Sequence, residues 1–366
     1  MITLLMNMIG LAIGLVLFIN KPMLSDSKDE INNRRRKISV VIPARNEEEN
    51  LKNILMDLKN QNMQAFEIIC VDDDSEDGTS DIAKDFEVKL IHVTDRPENW
   101  FGKAWACQCG ANEASGELLL FIDADVRLKP DAISKLVNQF EKDGRVVSVQ
   151  PYHQVVKFYE QISFFFNVIM VAGNGAGFLP IGKTIGLFGP VILINKEQYK
   201  SINGHFSARE SIVDDLSMGE ELSRSGIKFG LFYGDKDITF RMYGAGFSGL
   251  FQGWTKNFAT GASKTSISIL IMIIAWVTAC GSIAINFAAS MIFGEFWNIV
   301  AYSILYFCMV LELKFISEKI GSFKRIALLF YPILLLAFIS LFIISIINKY
   351  CTKNVTWKGR KIKIRR

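Results

Sequence analysis

Cysteine is sparse and scattered: six in 366 residues. Cys107 and Cys109 stand too close together for a zinc pair of the usual spacing, and no second pair follows. Zinc modules are therefore excluded, and all six read as reduced thiols in or facing a cytoplasm. The chain has no internal repeat and no low-complexity linker, which argues against a transporter built from paired halves. Residues 1–20, MITLLMNMIGLAIGLVLFIN, lack a positive leading region, and no small-residue cleavage site follows. That argues against a secretory signal peptide and for an uncleaved anchor. Residues 349–366, KYCTKNVTWKGRKIKIRR, lack acids altogether and hold eight Lys or Arg. A basic segment beside an apolar helix reads as a contact with anionic lipid headgroups.

What is present in excess is apolar: half of the residues are hydrophobic and the mean hydropathy is +0.25. That balance points to membrane segments. The length suits two structural units. The cluster NRRRKI (residues 33–38) follows the first apolar run, so the positive-inside rule puts what comes next in the cytoplasm. Residues 37–245 read as a soluble α/β domain. Strands ISVVIP, FEIICV, VKLIHV and ELLLFID alternate with helices over 47–60, 78–85, 103–114 and 130–142. This alternation predicts a largely parallel sheet with helices on both faces and a ligand at the carboxyl ends of its strands. Residues 158–182, aromatic and broken by glycines, are expected to face lipid or its interface. Residues 246–264 read as an interfacial amphipathic segment, 265–348 as transmembrane helices and 349–366 as a basic cytoplasmic tail. Three apolar stretches lie in that region, 267–292, 297–313 and 326–347. Three crossings would leave the tail outside, against the positive-inside rule, so either the shorter middle stretch, with Glu312 near its end, is re-entrant or residues 158–182 count as part of the membrane region.

The chemistry collects at strand ends. In VVIPARNEEENL, Asn46 is expected to cap the helix that opens at Glu47, and acids in a first turn suit the helix dipole. VDDDSEDGTSD imitates a calcium loop, but its twelfth place is Lys84 where a bidentate Glu is needed. The excess carboxylates there suit a nucleobase or ribose. Gly102-Lys103 at a helix start suits phosphate. In LLLFIDADVRL two like charges, Asp123 and Asp125, fall on one side of a strand. They imply a positive partner, and hard oxygens select magnesium or manganese bridged to phosphates. Asp214 and Asp215 open or interrupt a helix and read either as caps or as a general base for an incoming hydroxyl.

Taken in order, IPARNEE, VDDDSEDGT, DAD and VDD followed by GEEL resemble the family-2 glycosyltransferases with a GT-A fold. The stretches SVQPYHQVVKFYEQISFFFNV, FGPVILINKEQY, FRMYGAGFSGLFQGWTKNFATGA and VTWKGRKI are similar to membrane members of that family that act in staphyloxanthin-type carotenoid synthesis. The resemblance implies a Rossmann-like α/β domain between an N-terminal membrane anchor and C-terminal transmembrane helices. It implies transfer of a sugar, glucose by preference, from a UDP-sugar donor to a lipid such as the carotenoid acid 4,4'-diaponeurosporenoate. Other lipids, namely a polyprenyl phosphate, diacylglycerol or a hopanoid, are alternatives, and a nucleotidyltransferase is a more distant one. Pro43, Arg45, Glu47 and Asp73 would line the uridine pocket, with Lys103 and Asp123 also on the nucleotide sugar. Asp125 would hold Mg2+ or Mn2+, Asp215 would act as base beside Asp214, and Gln252 and Trp254 would line the acceptor side. No nucleic-acid partner is expected. Two departures stand out: Asp74 occupies the usual Gly of the nucleotide loop, and Gln252-Gly253-Trp254-Thr255-Lys256 replaces Q-x-x-R-W. The second argues against making a long polysaccharide.

Overall fold

The computed structural model describes residues 2–24, 36–177, 186–211, 213–244, 246–262, 264–348, 354–357 and 360–363. In chain order it runs α1 (Ile2–Phe18), β1 (Ile38–Ala44), α2 (Glu48–Lys59), β2 (Glu67–Asp72), α3 (Thr79–Asp85), β3 (Lys89–His92) and α4 (Gly102–Glu113). Then come β4 (Leu118–Ile122), β5 (Val126–Leu128), α5 (Ala132–Asp143), β6 (Val146–Gln150), β7 (Tyr152–His153) and α6 (Ser163–Gly173). The later elements are β8 (Val191–Asn195), α7 (Lys196–Ser201), α8 (Asp214–Arg224), β9 (Phe229–Tyr233), β10 (Ile238–Phe240), α9 (Phe247–Ala262), α10 (Ile267–Phe293) and α11 (Phe296–Ile320). The last are α12 (Arg325–Leu329), α13 (Tyr331–Ile347), β11 (Asn354–Trp357) and β12 (Arg360–Lys363). These fall into two units. A sheet unit takes Pro22–His153 and Gly186–Arg241, and a helical unit takes Met1–Lys21, Gln154–Ile185 and Met242–Arg366.

The sheet unit is built on seven strands in the order β3-β2-β1-β4-β8-β6-β9. The α/β alternation read from the sequence is present, and β1, β2, β3 and β4 pair in parallel. The sheet is nevertheless mixed, because β8 runs antiparallel to both β4 and β6. Every residue of β4 and of β6 is buried, as expected of strands covered on both faces. On one face Val41, Val71, Leu119, Phe121 and Ile192 pack with Ala106, Cys107 and Ala111 of α4 and Met218 of α8. A three-stranded sheet, β5-β10-β7, lies in the same unit. Asn46 is not the cap of α2. Its φ is 50°, its side-chain oxygen accepts from the Glu76 N–H, and Glu47 holds the cap position instead.

Within the helical unit, α10 and α11 are long and apolar enough to cross a membrane. The middle apolar stretch is longer than its apolar run suggests. It continues past residue 313 into an unbroken helix of 25 residues, about 37 Å long at 1.5 Å per residue. The third stretch is the broken one: α12 stops at Leu329 and α13 starts afresh at Tyr331. Proline in the first turn of α13 explains the restart, because that position needs no N–H. Residues 158–173 also differ from expectation. They are a 3-10 turn leading into α6, and Phe164, Phe165 and Phe166 are wholly buried rather than turned to lipid. Trp276 and Phe338 pack on Phe165 and Phe166. Glu312 is buried too, in van der Waals conflict with any side chain that might replace Gly14 of α1. Residues 178–182, 33–35 and 349–353, invoked above for the interfacial segment, the basic cluster and the tail, lie outside the described residues.

Candidate active site

β1, β2 and β4 all end at the same edge of the parallel half-sheet, and their acidic loops meet there. The first loop turns on Arg45, whose guanidinium is buried. Its Nη1 donates to the carbonyls of Asp73 (2.5 Å) and Asp74 (2.6 Å). Asp74, standing where the resemblance expects glycine, has φ 59°. The loop thus takes the left-handed turn that glycine would take, a conformation that Asp tolerates better than most side chains. Asp72 accepts from the Ser75 N–H at 3.0 Å and from the Ser80 hydroxyl, which ties β2 to α3. Asp73 is buried, and its carboxylate lies so close to Gly102 that any side chain there would collide with it. Glu47 accepts from Asn50 at 2.6 Å, and its N–H donates to Thr79 at 2.8 Å.

The second loop resolves the like-charge problem of the D-x-D stretch. The Lys103 ammonium, on the first turn of α4, sits 2.7 Å from Oδ1 and 2.8 Å from Oδ2 of Asp123. Burial alone would favour the neutral amine, but Asp123 and Asp214 outweigh it and hold Lys103 above the ordinary lysine range. Asp125 is half-buried in the turn between β4 and β5.

Asp214 and Asp215 open α8. The Gly189 and Leu216 N–H groups donate to Asp215 at 3.1 Å and 2.9 Å. Burial, then the Asp214 charge, push the Asp215 carboxyl up to about 7, with Lys103 pulling the other way. Lys103, Asp123, Asp214 and Asp215 line one small cavity together with Pro43, Cys107 and His205. Five of the expected site residues thus share one wall: Pro43, Lys103, Asp123, Asp214 and Asp215. Arg45, Glu47, Asp73 and Asp125 stand on the neighbouring loops. Gln252 and Trp254 belong to the helical unit. Trp254 is buried there, stacked 4.6 Å from Phe166 and donating to Ser163 at 3.0 Å, while Gln252 is exposed.

His205 is the cavity residue that motif reading missed. Its one local signal is the Asn203-Gly204 pair before it, both in the left-handed region. Such a pair announces a tight turn, and the turn delivers the imidazole inward.

Comparison with known proteins agrees with this geometry. Residues 39–182 match the family described as Glycosyl transferase family 2. A 4,4'-diaponeurosporenoate glycosyltransferase of Staphylococcus haemolyticus is 34% identical over 365 residues, covering 98% of this chain and 96% of the relative. One from Staphylococcus aureus strain N315 is 30% identical, covering 97% and 95%. A mannosyltransferase from Pyrobaculum calidifontis, solved with GDP-Man and Mn2+, superposes with a TM-score of 0.51 at 16% identity, covering 94% of this chain and 99% of that one. The sheet, the strand-end acids and near-full-length relatives lead to one statement: the chain is a glycosyltransferase with a GT-A fold and belongs to glycosyl transferase family 2.

Proposed function

We propose that the enzyme transfers a sugar, glucose by preference, from a UDP-sugar to the carboxyl group of a carotenoid acid such as 4,4'-diaponeurosporenoate, in a single inverting displacement at the membrane. The observation that carries this reading is the convergence of Lys103, Asp123, Asp214 and Asp215 on one cavity at the strand ends. The names of the near-full-length relatives support the acceptor. The apolar helices suit a protein whose acceptor is a lipid.

Arg45 holds the nucleotide loop in shape, so that Asp73 faces the uridine with Pro43 and Glu47. Lys103 exchanges part of its pairing with Asp123 for the diphosphate. The attacking carboxylate oxygen bonds to the anomeric carbon as the bond to the diphosphate breaks. A carboxylic acid has a pKa near the carboxyl reference of about 4, so it arrives already ionised. For such an acceptor Asp215 orients the sugar rather than removing a proton.

Among the described residues no three His, Cys, Asp or Glu side chains form a ready metal cage. That donor set still fits magnesium or manganese, which usually takes one or two carboxylates and completes its shell with substrate phosphate and water. Asp125 would hold the ion, whose chemistry there is to neutralise charge on the departing diphosphate. The Mn2+ bound by the Pyrobaculum enzyme, which shares the fold, supports a divalent ion in such a site.

A hydroxyl-bearing lipid is the second reading. Asp215 favours it, because a carboxyl pushed up to about 7 suits a general base. The test incubates membranes holding the enzyme with labelled UDP-glucose and either the carotenoid acid or hydroxyl lipids, with and without Mn2+. Labelled, base-labile ester on the carotenoid supports the first reading. Label only on hydroxyl lipids supports the second. No labelled lipid from a panel of UDP- and GDP-hexoses overturns both.

A further inference from the structure

The cavity beside Asp215 is small. Its volume is about 10 Å³, room for one water-sized group and not for a sugar ring. One of its walls is His205, buried and held on three sides. Its backbone N–H donates to Gln108 Oε1 at 2.9 Å, its Nδ1 lies 2.8 Å from the Tyr199 hydroxyl, and its ring meets Phe121 edge-on with centroids 5.0 Å apart.

The proton positions follow from counting. An N–H can only donate, so Gln108 must turn its oxygen to the His205 backbone, and its amide nitrogen donates to Asn112 at 3.0 Å. The Tyr199 hydroxyl has one proton and lies 3.3 Å from that same Gln108 oxygen. If Tyr199 donates to Gln108 and accepts from Nδ1–H, both contacts are hydrogen bonds. If it donates to Nδ1 instead, two lone-pair oxygens face each other. The first arrangement satisfies every group and leaves Nε2 unprotonated. Burial keeps the ring neutral, pushing its pKa down to about 4.

We propose that His205 reads one hydroxyl of the transferred sugar: a hydroxyl or hydroxymethyl group seated in this cavity donates its hydrogen bond to Nε2. The proposal rests on the sugar-transfer reading and extends it to donor specificity. The ring of the sugar stays outside the cavity, and a single group enters it. A donor without that group leaves Nε2 without a partner, and this costs discrimination.

The experiment compares the hexose donor that the full-length enzyme turns over with its monodeoxy analogues, in wild type, His205→Phe and Tyr199→Phe. Affinity for UDP alone is measured in parallel. Wild type is expected to disfavour one deoxy analogue by about 10-fold or more in kcat/KM. His205→Phe keeps the ring contact with Phe121. It is expected to lose that factor with the parent sugar, to treat parent and deoxy donors alike, and to bind UDP as before. Tyr199→Phe leaves the imidazole in place but frees Nδ1, and should shrink the same ratio. It keeps the test open if His205→Phe does not fold. The proposal is overturned if wild type discriminates against no analogue, or if the variants keep the wild-type ratio. Absence of turnover with every nucleotide sugar would instead remove the sugar-transfer reading on which it depends.

Discussion

Lys103 and Asp123 form an ion pair in the wall of the candidate site, with the ammonium 2.7 Å from one carboxylate oxygen and 2.8 Å from the other. The pair explains how a carboxylate can end an apolar strand beside two more acids. Removing the cation leaves Asp123 facing Asp214 with no counter-charge. Lys103→Met is therefore expected to lower kcat/KM by about 10²-fold, the usual scale for losing one group that stabilises developing charge. Lys103→Arg should recover part of it. A calorimetric titration with UDP checks the binding component. Wild-type affinity and turnover in Lys103→Met would show that the pair serves packing alone.

Asp215 is costly to ionise in the folded protein. Its native carboxyl is raised to about 7 from an ordinary 3.8. Between those values the folded protein holds a proton that the unfolded chain has released. Stability contributed by this group therefore falls as pH rises through that window, and the deficit is complete above about 7. Asp215→Asn removes the buried charge, so its melting temperature at pH 8 should exceed that of wild type, with the difference vanishing below the ordinary carboxyl range. Activity separates the acceptors: a loss of about 10²-fold or more is expected for a hydroxyl, and a smaller loss for a carboxylate. Full wild-type activity on a hydroxyl acceptor would refute the base role.

The loop after β2 offers a test of strain. Asp74 occupies φ 59° with its carbonyl held by buried Arg45 at 2.6 Å. Asp74→Gly fits that backbone and keeps the carbonyl, giving up the exposed carboxylate's 3.5 Å contact with Arg45, so stability should stay close to wild type and UDP affinity be preserved. Asp74→Val places a β-branched residue in the left-handed region and should lower the melting temperature clearly. Arg45→Ala removes both carbonyl contacts and should weaken UDP binding more than either. Equal melting temperatures for Asp74→Gly and Asp74→Val would mean that the loop relaxes freely.

Much of this site was legible because chemistry and periodicity coincide. An apolar strand that ends in carboxylates can be read without coordinates, which is how DAD and VDDD stand out, and paired acids at a helix start mark 214–215. The direction of β8 was not legible, since VILIN is buried on both faces and reads the same for either orientation. Nor was the burial of α6: a phenylalanine facing lipid and one facing protein are the same letter, and only packing on Trp276 and Phe338 tells them apart. Lys103 was read as a phosphate contact, while its partner Asp123 lies 20 residues away and is joined to it only by the fold. His205 belongs to no motif, and its place depends on two long-range contacts, with Gln108 and Phe121, besides the nearby Tyr199.

Asp125 carries the last prediction. It is half-buried at the β4–β5 turn, three residues beyond a strand whose five residues are all buried and directly before β5, so its position is set by the sheet on either side. A divalent ion that took Asp125 as its carboxylate ligand would depend steeply on it, because Mg2+ and Mn2+ need hard, charged oxygen ligands. Asp125→Asn keeps the shape and removes the charge. The expected result is a large rise in the Mn2+ concentration needed for half-maximal rate, with UDP affinity in the absence of metal unchanged. Chelation of wild type should abolish transfer and added Mn2+ should restore it. Asp123→Asn should behave differently: Lys103 loses its counter-ion, so metal-free UDP binding changes while the metal requirement stays near wild type. If the two variants shift the metal requirement equally, the division of labour between Asp123 and Asp125 is wrong.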